Sequence, residues 1–105
     1  MSNYIVIYVT TSTISEAKKI GRTLANEKLI ACSNIISPIH SIYNWQGKTC
    51  EDKEALMMMK SKKKLFKQIV KRVEGLHSYD VPEIIAMTIV EGSRKYLSWI
   101  NEETK

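Results

Sequence analysis

The sequence predicts an α+β chain: an antiparallel sheet with helices on one face, in the order β-α-β-β-α-β, and a further helix after the last strand. Three observations carry the prediction. Apolar, β-branched runs at Tyr4–Thr10, Leu29–Ile36 and Glu83–Val90 read as strands. Segments ahead of Leu29 and after Ser61 space their apolar residues at the helical period. Between them Pro38–Lys60 (PIHSIYNWQGKTCEDKEALMMMK) reads as a long hairpin that turns at Trp45-Gln46-Gly47-Lys48.

Tyr4–Thr10 (YIVIYVT) has almost no polar interruption, the pattern of a central strand buried on both faces. Thr13-Ile14-Ser15-Glu16 fits a capping box, in which the Thr13 hydroxyl takes a backbone N–H and Glu16 reaches back. The helix behind it sets Ala17, Ile20, Gly21 and Leu24 on one face. Leu29–Ile36 then closes a β-α-β unit. Pro38 has no N–H to give to a ladder, so it marks a bulge or an edge. Ile39, Ile42 and Tyr43 lead into the turn, where Gly47 supplies the positive φ of a tight hairpin.

The return strand, Lys48–Lys60, conflicts with local propensity. Glu51–Met59 consists of good helix formers, and Glu51–Val73 read alone is one long helix. Against that, an apolar strand that enters a Trp-x-Gly turn must return, and Ser61 is placed to N-cap a separate helix. That helix, Ser61–Glu74, aligns Leu65, Phe66, Ile69, Val70 and Val73, and Gly75 ends it. His77–Pro82 is a loop, with Val81 held extended by Pro82. Glu83–Val90 is the last strand. Gly92-Ser93 opens a short helix with Tyr96, Leu97 and Ile100 inward, and the polar tail from Asn101 is expected to fray. Two β-α-β halves in series are the ferredoxin-like pattern.

A strand over Lys48–Lys60 is roughly 40 Å long, more than the roughly 34 Å diameter of a compact chain of this size. A hairpin that overhangs its domain with Ile42, Tyr43, Trp45, Leu56 and a run of methionines requires a partner, most simply further copies of the same chain.

At 105 residues the chain makes one domain, 1–105. Its apolar runs are too short to span a bilayer, so no membrane partner is expected. Met1–Val9 has no basic region ahead of an apolar stretch, which reads as the cytoplasm. Cys32 and Cys50 stand 18 positions apart, match no zinc spacing and read as reduced thiols. Part of the net charge of +5 comes from Lys60, Lys62, Lys63, Lys64, Lys67, Lys71 and Arg72, which read as the solvated face of a helix. Ile7-Tyr8-Val9 resembles the first RNA-binding signature of an RRM. Glu54–Met59 stands where the aromatic second signature would be, so nucleic acid is not an expected partner.

No nucleophile–base pair, H-E-x-x-H or G-x-S-x-G is present, and four glycines make no phosphate cradle, so no catalytic residue is expected. His77, in a polar loop, offers an imidazole that suits a transition metal; His40, on a strand, is a weaker candidate. Trp45, Tyr79 and Trp99 are aromatics near turns or element ends, and Glu54, Lys60, Asp80 and Glu83 are charges at the margins of apolar runs. In this fold the hairpin tip and the loop before the last strand come together only if another subunit supplies one of them. That arrangement would make an intersubunit cleft with aromatic walls and a few charges; alternatively these residues pack the subunit interface.

The stretches LIACSNIISPIHSIYNWQGK, EALMMMKS, HSYDVPEII and YLSWI, in this order and spacing, resemble the CutA family of divalent-cation tolerance proteins. The resemblance covers nearly the whole chain. It implies a small cytoplasmic, non-enzymatic protein that assembles into a tight homotrimer, with hairpin strands pairing between subunits, and it favours a strand at Glu51–Met59. It also implies a role in tolerance of divalent cations. Binding of Cu(II) or another divalent cation is proposed for the family, and no cofactor is certain. A likeness to PII signalling proteins implies a cleft for a small anionic or zwitterionic metabolite, walled here by Trp45, Glu54, Lys60, Tyr79 and Glu83. A trimer that scaffolds another protein is a further alternative. Relatives with a proposed copper site carry a cysteine at the end of the first strand and a histidine pair before the Tyr-x-x-Pro-Glu segment. Here Val9 and Leu76-His77 stand at those positions and Ser78 replaces the usual proline, which leaves His77 as the candidate metal ligand.

Overall fold

The computed structural model describes residues 3–105. Its elements are β1 (Tyr4–Thr11), α1 (Ile14–Asn26), β2 (Cys32–Trp45), β3 (Lys48–Lys62), α2 (Phe66–Leu76), β4 (Ile84–Thr88) and α3 (Arg94–Glu103). The strands form one antiparallel sheet in the order β2-β3-β1-β4. Burial alternates strictly along β1. Ile5, Ile7 and Val9 face the helices and pack with Ala55, Met57 and Met59 of β3, with Ala17, Ile20 and Leu24 of α1 and with Ile69 and Val73 of α2. The expectation that β1 is buried on both faces therefore needs correction: Val6, Tyr8 and Thr10, on the other face, are only half-buried.

Glu51–Met59 is strand. β3 pairs on one side with β1, from Tyr4↔Lys62 to Thr11↔Ala55, and on the other with β2, from Cys32↔Lys60 to Trp45↔Lys48. Two ladders outweigh a helical propensity of a few tenths of a kcal/mol per residue. The two-residue turn places Gln46 (φ 50°) and Gly47 (φ 78°) in the left-handed region, as a type I′ turn requires. The register of β2 shifts between Ile36 and Ile39, the bulge expected at Pro38. Beyond Ala55 the hairpin has outrun β1, and the molecule measures 44 × 25 × 23 Å.

Four local expectations need correction. Ser61 caps no helix: it lies in β3, fully buried, and its hydroxyl donates to Leu29 O at 2.6 Å. A 3-10 turn at Lys63–Leu65 follows, and α2 starts at Phe66 without a side-chain cap. Gly75 lies inside α2, whose last turn closes through the His77 N–H on Val73 O at 2.8 Å. The last strand ends at Thr88. The tail does not fray, because Lys62 holds it. The Lys62 ammonium donates to Asn101 O and Oδ1 (3.3 and 3.2 Å) and to Thr104 O (3.5 Å), a cation at the negative end of α3.

On the sheet face away from α1 and α2, the register gathers Val6, Tyr8, Ile36, Leu56, Met58, Ile85 and Met87. At one end of this face α3 meets it, with Lys62 bonded to Asn101 and the Tyr96 hydroxyl 3.7 Å from Cys32 Sγ. Ile36, Ile85 and Met87 remain about half-exposed.

Candidate functional site

A cavity of about 600 Å³ lies between the hairpin and the loop that leads into β4. β2 supplies His40, Ile42, Tyr43 and Trp45 to its wall, β3 supplies Glu54, and the loop supplies Tyr79, Asp80, Val81 and Glu83. The register explains the convergence. Thr11↔Ala55 sets Glu54 just past the end of β1, and Val9↔Ile84 returns the loop beside that same end. Tyr79 spans the gap, its hydroxyl donating to Glu54 Oε2 at 2.7 Å.

The loop is fastened from below. His77 is wholly enclosed. Its Nε2–H donates to Thr10 O at 2.7 Å, and Nδ1 accepts the Tyr79 N–H at 3.0 Å. Those two partners fix the neutral tautomer with its proton on Nε2. Next along the chain, the Ser78 N–H and hydroxyl both donate to the Glu16 carboxylate (2.7 and 3.0 Å). The capping box is thus half of what the sequence suggested. Thr13 Oγ1 accepts the Glu16 N–H at 3.1 Å, while the Glu16 carboxylate is spent on Ser78 and on the Ser12 hydroxyl.

These contacts set the electrostatics. Burial disfavours the charged form of Glu16, but the Ser78 hydrogen bonds outweigh it and hold the carboxyl below its ordinary range. Burial and then the neighbouring Glu54 push the Glu83 carboxyl up. Burial and then Glu54 also raise the Tyr79 phenol well above its usual range. The Tyr43 hydroxyl donates to Asp52, which lifts that phenol to about 12.

Trp45, Glu54, Tyr79 and Glu83 all line this cavity, and one chain alone brings the hairpin and the loop together, where a second subunit was expected to supply one of them. Lys60 does not join them. It pairs with Val6 and Cys32 in mid-sheet and donates to Asn34 Oδ1. Tyr43 was missed as a wall residue. Its i, i+2 relation to Trp45 on one strand is the signal that points to it. His77, proposed as a metal ligand, has both ring nitrogens engaged by backbone. Val9, at the position of the relatives' cysteine, is fully buried in the core. Among the described residues no three His, Cys, Asp or Glu side chains converge as a metal site, so the residues present do not fit a copper centre within one chain.

A sequence profile described as CutA1 divalent ion tolerance protein matches residues 5–103. The divalent-cation tolerance protein CutA of Thermus thermophilus is 42% identical over 99 residues, which cover 94% of this chain and 96% of its own. A solved structure from that organism superposes with a TM-score of 0.95 at 41% identity, covering 97% of this chain and 99% of that one. The chloroplastic protein CutA of Arabidopsis thaliana is 42% identical over 96% of this chain, which spans only 56% of the plant protein. The structure of a periplasmic divalent cation tolerance protein CutA from Archaeoglobus fulgidus superposes with a TM-score of 0.94 at 35% identity, covering 97% and 99% of the two chains. None of these names is that of an enzyme. The chloroplastic and periplasmic descriptions overturn the expectation of the cytoplasm, which rested on a missing sequence pattern and on the family resemblance.

Proposed function

Since the chain belongs to the CutA1 divalent ion tolerance family, we propose that it is a non-enzymatic binding protein of the divalent-cation response, a homotrimer whose ligand site is the cavity beneath the hairpin. The cavity carries this reading. At about 600 Å³ it has the size of a small-molecule site. Aromatic and acidic groups converge on it.

The half-exposed apolar sheet face and the overhanging hairpin, with Ile42 70% exposed, support the assembly. A Cu(II) ion at His77 would have to displace either Thr10 O or the Tyr79 N–H. The response to divalent cations therefore acts through the cavity or the assembly, with His77 as a structural residue.

The test is a thermal-shift screen of metabolites and divalent ions on the wild-type chain and on Trp45→Ala. The expected result is a ligand that raises Tm in the wild type and not in the variant. A broad library without a hit, or a hit indifferent to Trp45, overturns the assignment of the cavity. Sedimentation should give about three times the 12.1 kDa chain mass; a monomer refutes the trimer.

A further inference from the structure

The chain carries a net charge of +5, yet the cavity reverses that sign locally. Its wall holds the carboxylates of Glu54, Asp80 and Glu83 and neither lysine nor arginine. Glu54 accepts the Tyr79 hydroxyl. Among the described residues neither the Asp80 nor the Glu83 side chain has a hydrogen bond or an ion pair. Burial, and after it the neighbouring Glu54, push the Glu83 carboxyl up. What such a wall lacks is a positive charge.

Size and surface decide which kind. A volume of about 600 Å³ is far larger than a bare ion and lies within the range of small-molecule sites. A metal would need several converging ligands, and no group of three is preformed among the described residues. Instead the carboxylates stand among the rings of Tyr43, Trp45 and Tyr79. The π face of a tryptophan or tyrosine attracts an ammonium or quaternary ammonium group, most strongly where water is excluded. Lys60, which would have suited an anion, is held elsewhere by Asn34.

We propose that the cavity binds a small organic cation, a molecule whose alkylammonium group sits against the aromatic rings and faces Glu54 and Glu83. The assignment rests on the cavity being the ligand site and names the class of ligand that it takes. The aromatic rings and the carboxylates act on the same charge, so an uncharged molecule of equal shape loses both contributions at once.

Choline and its uncharged carbon isostere, 3,3-dimethylbutan-1-ol, make that comparison. Each is titrated into the ¹⁵N-labelled full chain while the Trp45 indole resonance is followed, with Mg²⁺ and Cu(II) as separate arms. Choline should bind at least tenfold more tightly than the isostere. Glu83→Gln, a change at an exposed residue that leaves the core intact, should reduce that preference at least threefold, and Glu54→Gln should do the same. Equal affinity for the two organic probes overturns the cation class while leaving the cavity a ligand site. A response at Trp45 to a metal ion alone overturns it in favour of an inorganic ligand. Silence from every probe also overturns it, and the metabolite screen then decides separately whether the cavity binds anything.

Discussion

Replacing His77 with alanine separates a structural clasp from a metal ligand. The ring is wholly enclosed, donates to Thr10 O at 2.7 Å and accepts from the Tyr79 N–H at 3.0 Å. Each bond contributes about 1 kcal/mol net, and a buried partner left unpaired costs about 1–3 kcal/mol. The ring also packs on Tyr79, with centroids 4.8 Å apart. Alanine should therefore cost roughly 3 kcal/mol, or roughly 12–24 °C in Tm for a domain of this size. Glutamine, whose amide can still donate toward Thr10 O, should recover about half of that loss. The assay is denaturant unfolding of the wild type and both variants at one protein concentration, because assembly makes stability concentration-dependent. Cu(II) calorimetry follows on the same samples. The expected outcome is a large loss of stability with an unchanged isotherm. A loss under about 1 kcal/mol together with a tenfold weaker Cu(II) affinity would refute the clasp.

Two other outcomes follow from single contacts. Glu16 has a folded-state pKa below its ordinary value near 4.5, so its contribution is fully present above that pH and is lost as the pH falls through the lower folded value. Acid titration of stability should show that limb in the wild type and a flatter one in Glu16→Gln. Ser61→Ala removes the buried donor to Leu29 O and should cost about 2 kcal/mol. Hydrogen exchange should then quicken along β3 and at the start of β2; quickening confined to the first turn of α2 would restore the helix-cap role.

The strand at Glu51–Met59 was hard to read because β3 is apolar on both faces from Ala55 to Met59. Ala55, Met57 and Met59 point into the core, while Leu56 and Met58 lie on the half-covered face. The run therefore shows no period of two, although the strand has one. Tertiary pairing decided what propensity had left open. Ser61 misled for a related reason. A small hydroxyl at an element boundary suits a cap equally well, and the carbonyl that claims it belongs to Leu29, distant in sequence. Trp45, Glu54, Tyr79 and Glu83 line one cavity because β1 stops at Thr11, opposite Ala55, and leaves the far half of the hairpin open to the loop before β4. The expectation failed for Lys60 because β3 runs on to Lys62, which leaves Lys60 in mid-sheet. The work of His77 was not legible at all. Its partners are a backbone carbonyl and a backbone N–H, and these are identical in every sequence.

The clasp and the cavity form one construction. Consecutive residues of the loop are tied to three different elements: His77 to β1 through Thr10, Ser78 to α1 through Glu16, and Tyr79 to β3 through Glu54. That wall is therefore set by folding, and a ligand does not have to order it. The opposite wall differs. Tyr43 and Trp45 stand where β2 and β3 pair only with each other, beyond the reach of β1. A two-stranded ribbon is marginal by itself, so ordering this half costs binding energy unless something steadies it. In the proposed trimer the neighbouring copies would do so. Assembly and ligand binding would then be coupled, each strengthening the other by the same factor.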